Sequence, residues 1–130
     1  MSAPALDEVR IIALALPDVT ERFSHGAPAF YVRKRALCYF HDAEFGADER
    51  ITLWCPSPPG VAGDVVAAEP ERFFHPQPSA SGVFSTWLGV YLDNTDEEID
   101  WTEIAGVIED AYRLIAPKKL VAQLDEKQRP

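Results

Sequence analysis

Basic side chains, histidine, cysteine and long apolar runs are all scarce in this 130-residue chain. No apolar run approaches the ~20 residues needed to span a bilayer. No positively charged start followed by an apolar stretch opens the chain, so no secretory leader is expected. The two cysteines, Cys38 and Cys55, read as reduced, half-buried thiols of a cytoplasmic protein, although neighbouring strands could bring them within disulfide reach. Twelve basic against 21 acidic side chains give a formal charge of −9. Such a charge repels nucleic acid and anionic membranes at long range, though a local patch can override it.

Catalytic signatures are missing too. There is no G-x-S-x-G elbow and no glycine-rich phosphate loop. Ser24 and His25 are neighbours and cannot make a triad by themselves. Cys38 and Cys55 lack an activating environment, and Glu97-Glu98 reads as solvated charge on a polar connection. Cys38 and His41 have a C-x-x-H look, with His25, Cys55 and His75 elsewhere. Residues three apart in a strand point to opposite faces, however, and bound zinc needs about four convergent ligands. The expectation is therefore no enzyme, no metal and no cofactor.

What is present is ordinary for a folded protein: 47% hydrophobic and 25% charged residues, a length that suits one domain over residues 1–130. Of 11 prolines, six fall between Pro56 and Pro78, where loops are expected. Ala5–Leu16 carries a helical stripe (Leu6, Val9, Ile12, Ala13, Leu16) stopped by Pro17. Thr20–His25 reads as an edge strand. Ala29–Val32 and Ala36–His41 flank Arg33-Lys34-Arg35 as a hairpin. An acidic loop, Asp42–Arg50, leads to a strand at Ile51–Cys55. Val61–Glu69 reads as a short helix, Phe73-Phe74 as a brief strand, and Gln77–Ser85 as a loop. Thr86–Asp93 is the clearest strand, followed by an acidic connection over Asn94–Ile99. The last long helix starts at the N-cap Asp100, with Glu103 in capping-box position. Its stripe runs from Trp101 to Ile115, Pro117 ends it, and Lys118 onward reads as a final short turn.

The period of two sorts the strands into two surfaces. Phe30, Val32, Cys38, Phe40, Ile51, Leu53, Leu88, Val90 and Leu92 form a seat for the first and last helices. Tyr31, Tyr39, His41, Trp54, Trp87 and Tyr91 form the other face. Aromatic groups with polar handles suit a partly wet surface that meets a ligand or partner. Either the Val61–Glu69 helix or a proline-rich loop covers this face, or it is a ligand groove or a homodimer surface.

Two basic groups stand out. Arg33-Lys34-Arg35 at a hairpin tip is either a solvated turn or a wing reaching phosphates. Lys118-Lys119 either complements a helix C-terminus or joins that contact. No Lys or Arg occurs between Phe73 and Tyr112, an interval rich in Asp and Glu.

Several motifs resemble those of the MmcQ/YjbR family. His25-Gly26-Ala27-Pro28-Ala29-Phe30 with its basic hairpin is similar to the family's N-terminal motif, and Pro70-Glu71-Arg72-Phe73-Phe74 to its middle one. Trp87-Leu88-Gly89-Val90-Tyr91-Leu92-Asp93, Asp100-Trp101-Thr102-Glu103 and Ala111 to Leu120 resemble its C-terminal signature. The resemblance implies an α+β fold in two layers, an antiparallel sheet with helices on one face, similar to secretion chaperones. It also implies DNA as a partner, through the family's double-wing likeness, and it brings no catalytic residues. This chain departs from the pattern at the hairpin, where the family usually has glycine before its lysine and Arg33 stands here. The Asp42–Arg50 and Gln77–Ser85 loops also look long. The expected function is a non-enzymatic binding module. Contact with DNA would come from Arg33, Lys34, Arg35, Lys118 and Lys119. The alternative is a small molecule or protein on the aromatic face, without nucleic acid.

Overall fold

The computed structural model describes residues 3–24, 26–45, 49–76, 86–93 and 99–129. In chain order the elements are α1 (Ala3–Leu14), β1 (Val19–Ser24), β2 (Ala27–Val32), β3 (Arg35–His41), β4 (Thr52–Cys55), α2 (Val61–Ala68), β5 (Phe73–Phe74), β6 (Leu88–Tyr91), α3 (Trp101–Ile115) and α4 (Lys118–Gln128). The strands form one antiparallel sheet in the order β1-β2-β3-β4-β6-β5. The fold is α+β, as the sequence pattern implied.

Alternation along the strands decides which side the helices occupy. Phe30, Val32, Cys38, Phe40, Leu53, Leu88, Val90 and Leu92 are buried, and Ile51 is half-buried. Against them lie Ile104, Ile108, Ala111, Tyr112 and Ile115 of α3, with Leu6, Val9 and Ala13 of α1. Each large apolar side chain so buried contributes about 1.5–3 kcal/mol. Leu37 is an extra residue: the β2–β3 register shifts between Phe30↔Cys38 and Tyr31↔Ala36. The bulge turns Leu37 and Cys38 both into the core.

Helix α3 starts where its cap residue dictates. The Asp100 carboxylate accepts hydrogen bonds from the Thr102 and Glu103 amides at 3.0 and 3.3 Å. The Glu103 side chain pairs with Arg72, a partner from the β5 approach that sequence spacing does not reveal. Helix α4 corrects the expectation of a short final turn, because it runs to Gln128. Only Leu120 and Leu124, four residues apart, are buried on it, and so narrow a stripe in a polar segment hides the helix in the sequence. Several expected elements shift by one or two residues at their ends, where such boundaries are least sharply defined. The Gln77–Ser85 loop, residues 94–98 of the acidic connection, and Gly46 to Asp48 lie outside the described residues.

Tyr112 ties the α3 stripe to the start of the sheet. It is fully buried, and its hydroxyl donates to the Pro17 carbonyl at 2.7 Å. Burial, reinforced by the nearby Asp18 charge, raises its pKa above the usual tyrosine value. A folded-state pKa above the unfolded value of ~10 means the stabilisation is complete below pH ~10 and is lost as pH rises through the folded value. Tyr112→Phe should therefore cost about 1 kcal/mol at neutral pH and flatten the fall in stability above pH ~10. Urea unfolding at neutral and alkaline pH reads both effects, and identical alkaline slopes for the two proteins would rule out this role.

Candidate functional site

The face away from α1 and α3 gathers aromatic groups from the inner strands. Tyr31, Tyr39, His41, Trp54, Trp87 and Tyr91 are all half-buried. Tyr39 and Trp87 stack at 5.6 Å with planes 18° apart. His41 lies 4.4 Å from Trp54, and Tyr31 meets Tyr39 edge-on at 6.4 Å. Ala27 and Ala29, fully buried on the same face of β2, leave room for these rings. Helix α2 does not cover this face. Val61 and Val65 line a cavity with Phe73, Leu88 and α3 on the helix side.

Two arginines flank the aromatic row. The Arg22 guanidinium sits 4.9 Å from the Tyr31 ring centre, and that of Arg50 lies 3.7 Å over Tyr91. Asp93 orients Arg50 at 2.8 Å while accepting the Ile51 amide at 3.0 Å. Phe74 closes the row at β5, with its ring 4.7 Å from Tyr91. It lies against Gly89, where an added Cβ would stand 2.3 Å from the ring. Arg22, Arg50 and Phe74 were not singled out from the sequence. Only the strand register brings them beside Tyr31 and Tyr91.

The tyrosine pair is electrostatically split. The Tyr31 hydroxyl lies 3.4 Å from both Ser24 Oγ and the Tyr39 hydroxyl. The hydrogen bond to Ser24, followed by that to Tyr39, lowers the Tyr31 pKa. Burial, then the bond to Tyr31, raises that of Tyr39.

The two basic groups, far apart in sequence, meet at one corner. The Arg35 guanidinium donates to the Ile115 carbonyl at 3.2 Å, so the hairpin tip abuts the end of α3, just before Lys118 and Lys119. Arg33 pairs with Asp18 at 3.0 Å, and its carbonyl accepts from Arg22 at 3.3 Å. Lys34, Lys118 and Lys119 are exposed. Arg10, Arg50, Arg72, Arg113 and Arg129 are all paired with carboxylates elsewhere. Of the cations with no carboxylate partner among the described residues, Lys127 donates to the Ala15 carbonyl. The others — Arg22, Lys34, Arg35, Lys118 and Lys119 — surround this corner. Arg33 adopts φ 57°, the left-handed region that glycine tolerates and arginine enters at a cost of about 1 kcal/mol.

Catalytic convergence is not seen among the described residues. Cys38 and Cys55 are free thiols in the core, His41 faces the opposite side, and His75 is exposed after β5. His25 lies outside the described residues. No group of three or more His, Cys, Asp or Glu forms a metal-ligand set, and no helix is long and apolar enough to cross a membrane, among the described residues.

A six-stranded antiparallel sheet with one helix-covered and one aromatic face defines a two-layer α+β protein. The chain belongs to the YjbR family, whose model matches residues 14–114. The fold is shared with the crystal structure of Deinococcus radiodurans protein DR2400, which carries a DUF419 domain. That chain is 19% identical, with a TM-score of 0.64 over 88% of this chain and 80% of the other. None of the curated proteins matches.

Two outcomes follow from this geometry. Gly89→Ala should cost about 1–3 kcal/mol by displacing Phe74. Gly63→Ala in α2, whose added Cβ meets nothing within 4 Å, should be neutral or stabilising by up to ~1 kcal/mol. Equal midpoints in urea unfolding would refute the close approach. Burial, aided by a hydrogen bond to Cys55, raises the Cys38 pKa well above the normal thiol range. The native protein should therefore leave Ellman's reagent unreacted at pH 8 until denaturant is added, and rapid native labelling would contradict that burial.

Proposed function

We propose that the protein is a non-catalytic, cytoplasmic binding module for nucleic acid, taking phosphates at the basic corner and unstacked bases on the aromatic face. Arg22 carries this reading. It holds the Arg33 carbonyl with its guanidinium and stands over Tyr31, which makes the corner and the aromatic row one continuous surface. Cationic grooves leading to stacking platforms are how proteins hold single strands. The net charge of −9 is compatible with this because the other arginines are neutralised locally. The strained Arg33 supports it as well, since strain is commonly held at functional sites. A second reading, favoured by the Tyr39–Trp87 stack and by Arg50 over Tyr91, assigns the same face to a planar small molecule or a protein partner without nucleic acid.

Fluorescence anisotropy with short single- and double-stranded oligonucleotides at about 50 mM salt decides between them. Single strands should bind better, with a log–log salt slope of about −3 for roughly four phosphates. The variant Lys34→Ala/Lys118→Ala/Lys119→Ala should lose about tenfold or more in affinity with an unchanged melting temperature, because these side chains hold nothing in the fold. Absence of binding at low salt, or equal binding by the triple variant, sinks the nucleic-acid reading.

A further inference from the structure

The helix side of the sheet holds a cavity of about 670 Å³ lined by both α2 and α3, a size typical of small-molecule sites. Its walls are Val61 and Val65 of α2, Val107 and Leu114 of α3, and Phe73 and Leu88 of the sheet. Val61 and Leu114 remain 43% and 44% exposed there, so apolar surface is left facing water at a concave site rather than on a flat patch.

Charge at the mouth has a definite sign. Among the described residues, three ionisable side chains line the cavity: Glu69, Asp110 and Arg113. Arg113 is held by Asp125 at 2.9 Å and faces Glu109 at 4.0 Å. Glu69 accepts from Arg72 at 2.7 Å. Asp110 is exposed and has no ion-pair partner among the described residues. A ligand carboxylate would meet an arginine already engaged by acids, and would lie beside two further carboxylates. A ligand cation would find Asp110 available.

We propose that this cavity binds a small amphiphilic cation, with its apolar body between α2 and α3 and its ammonium-like head at Asp110. The site shares no lining residue with the basic corner or the aromatic face, although its Leu114 precedes the Ile115 whose carbonyl holds Arg35, and the sign of its charge is opposite to that of the corner.

Titration calorimetry of the full chain with decylammonium and with decanoate, both below their micellar range, tests it. Decylammonium should bind saturably at one site and at least about fivefold more tightly than decanoate, the effect expected of one exposed charge pair. Asp110→Asn should bring the two within about twofold. Val61→Trp, at a position already open to solvent, should fill the mouth and abolish binding while circular dichroism melting stays cooperative. Leu114→Trp does the same from the α3 side if the first variant melts early. The Lys34/Lys118/Lys119 triple variant should bind decylammonium normally. Equal affinity for the two ligands, no saturable binding, or binding that survives both tryptophan variants overturns the proposal.

Discussion

The burial of one stripe of α3 against β3 and β4 is the constraint on which the rest of this molecule depends. Ile104, Ile108, Ala111, Tyr112 and Ile115 can leave water only by lying on the sheet. That contact fixes which face of every strand points inward. It also fixes where α3 ends, and therefore where its last carbonyls are presented. Arg35 reaches one of those carbonyls, which satisfies a helix end that would otherwise rely on water. The β2–β3 hairpin is thereby anchored to an element that begins some 60 residues later in the chain. Core packing and surface chemistry are joined through this contact.

The same arrangement separates charge. An acidic chain disperses most of its arginines into local ion pairs with Asp and Glu, each worth little on an exposed surface. Their collective effect lies in what they leave behind. Apart from Lys127, the cations without a carboxylate partner among the described residues collect around the hairpin tip and the start of α4, and Arg22 extends that corner towards the tyrosines. On the helix side of the sheet, the mouth between α2 and α3 is lined by two carboxylates and one arginine. One small domain thus presents surfaces of opposite sign along α3, whose Leu114 lines the mouth and whose Ile115 carbonyl holds Arg35.

Much of this was legible from alternation and capping. Leu88, Val90 and Leu92 pointed to one face and Trp87 and Tyr91 to the other, as a period of two requires, and Asp100 marked the start of α3. Both hairpin strands and the split between helix-bearing and aromatic faces followed from the same rule. Other features depended on register, which local pattern does not encode. Leu37 reads as an ordinary strand residue, yet the bulge makes it core. Arg22 sits in a polar edge strand, and only its position opposite Ala29 brings it to Tyr31. Phe74 reads as half of a Phe73-Phe74 pair until Gly89 offers it a seat on the other face. Helix α4 escaped notice because two leucines carry its packing, too few to stand out among charged neighbours. The meeting of Arg35 with Ile115 is a long-range event that neither segment announces by itself.

The outer edge of the sheet has a consequence for self-association. β1 is a terminal strand that, among the described strands, pairs on one side only, an invitation to a second copy. A two-fold pairing of two such edges keeps each face on its own side, so residues directly opposite must share a face. Glu21 pairs with Phe30 on the helix face and Arg22 with Ala29 on the other, so Glu21 can never stand opposite Arg22 of a second copy. The registers with most overlap centre on one or the other. Centred on Arg22, two guanidiniums would meet as like charges and repel. Centred on Glu21, each carboxylate would arrive already held by Arg10 at 2.9 Å, so the edge discriminates between its two registers by charge without proline.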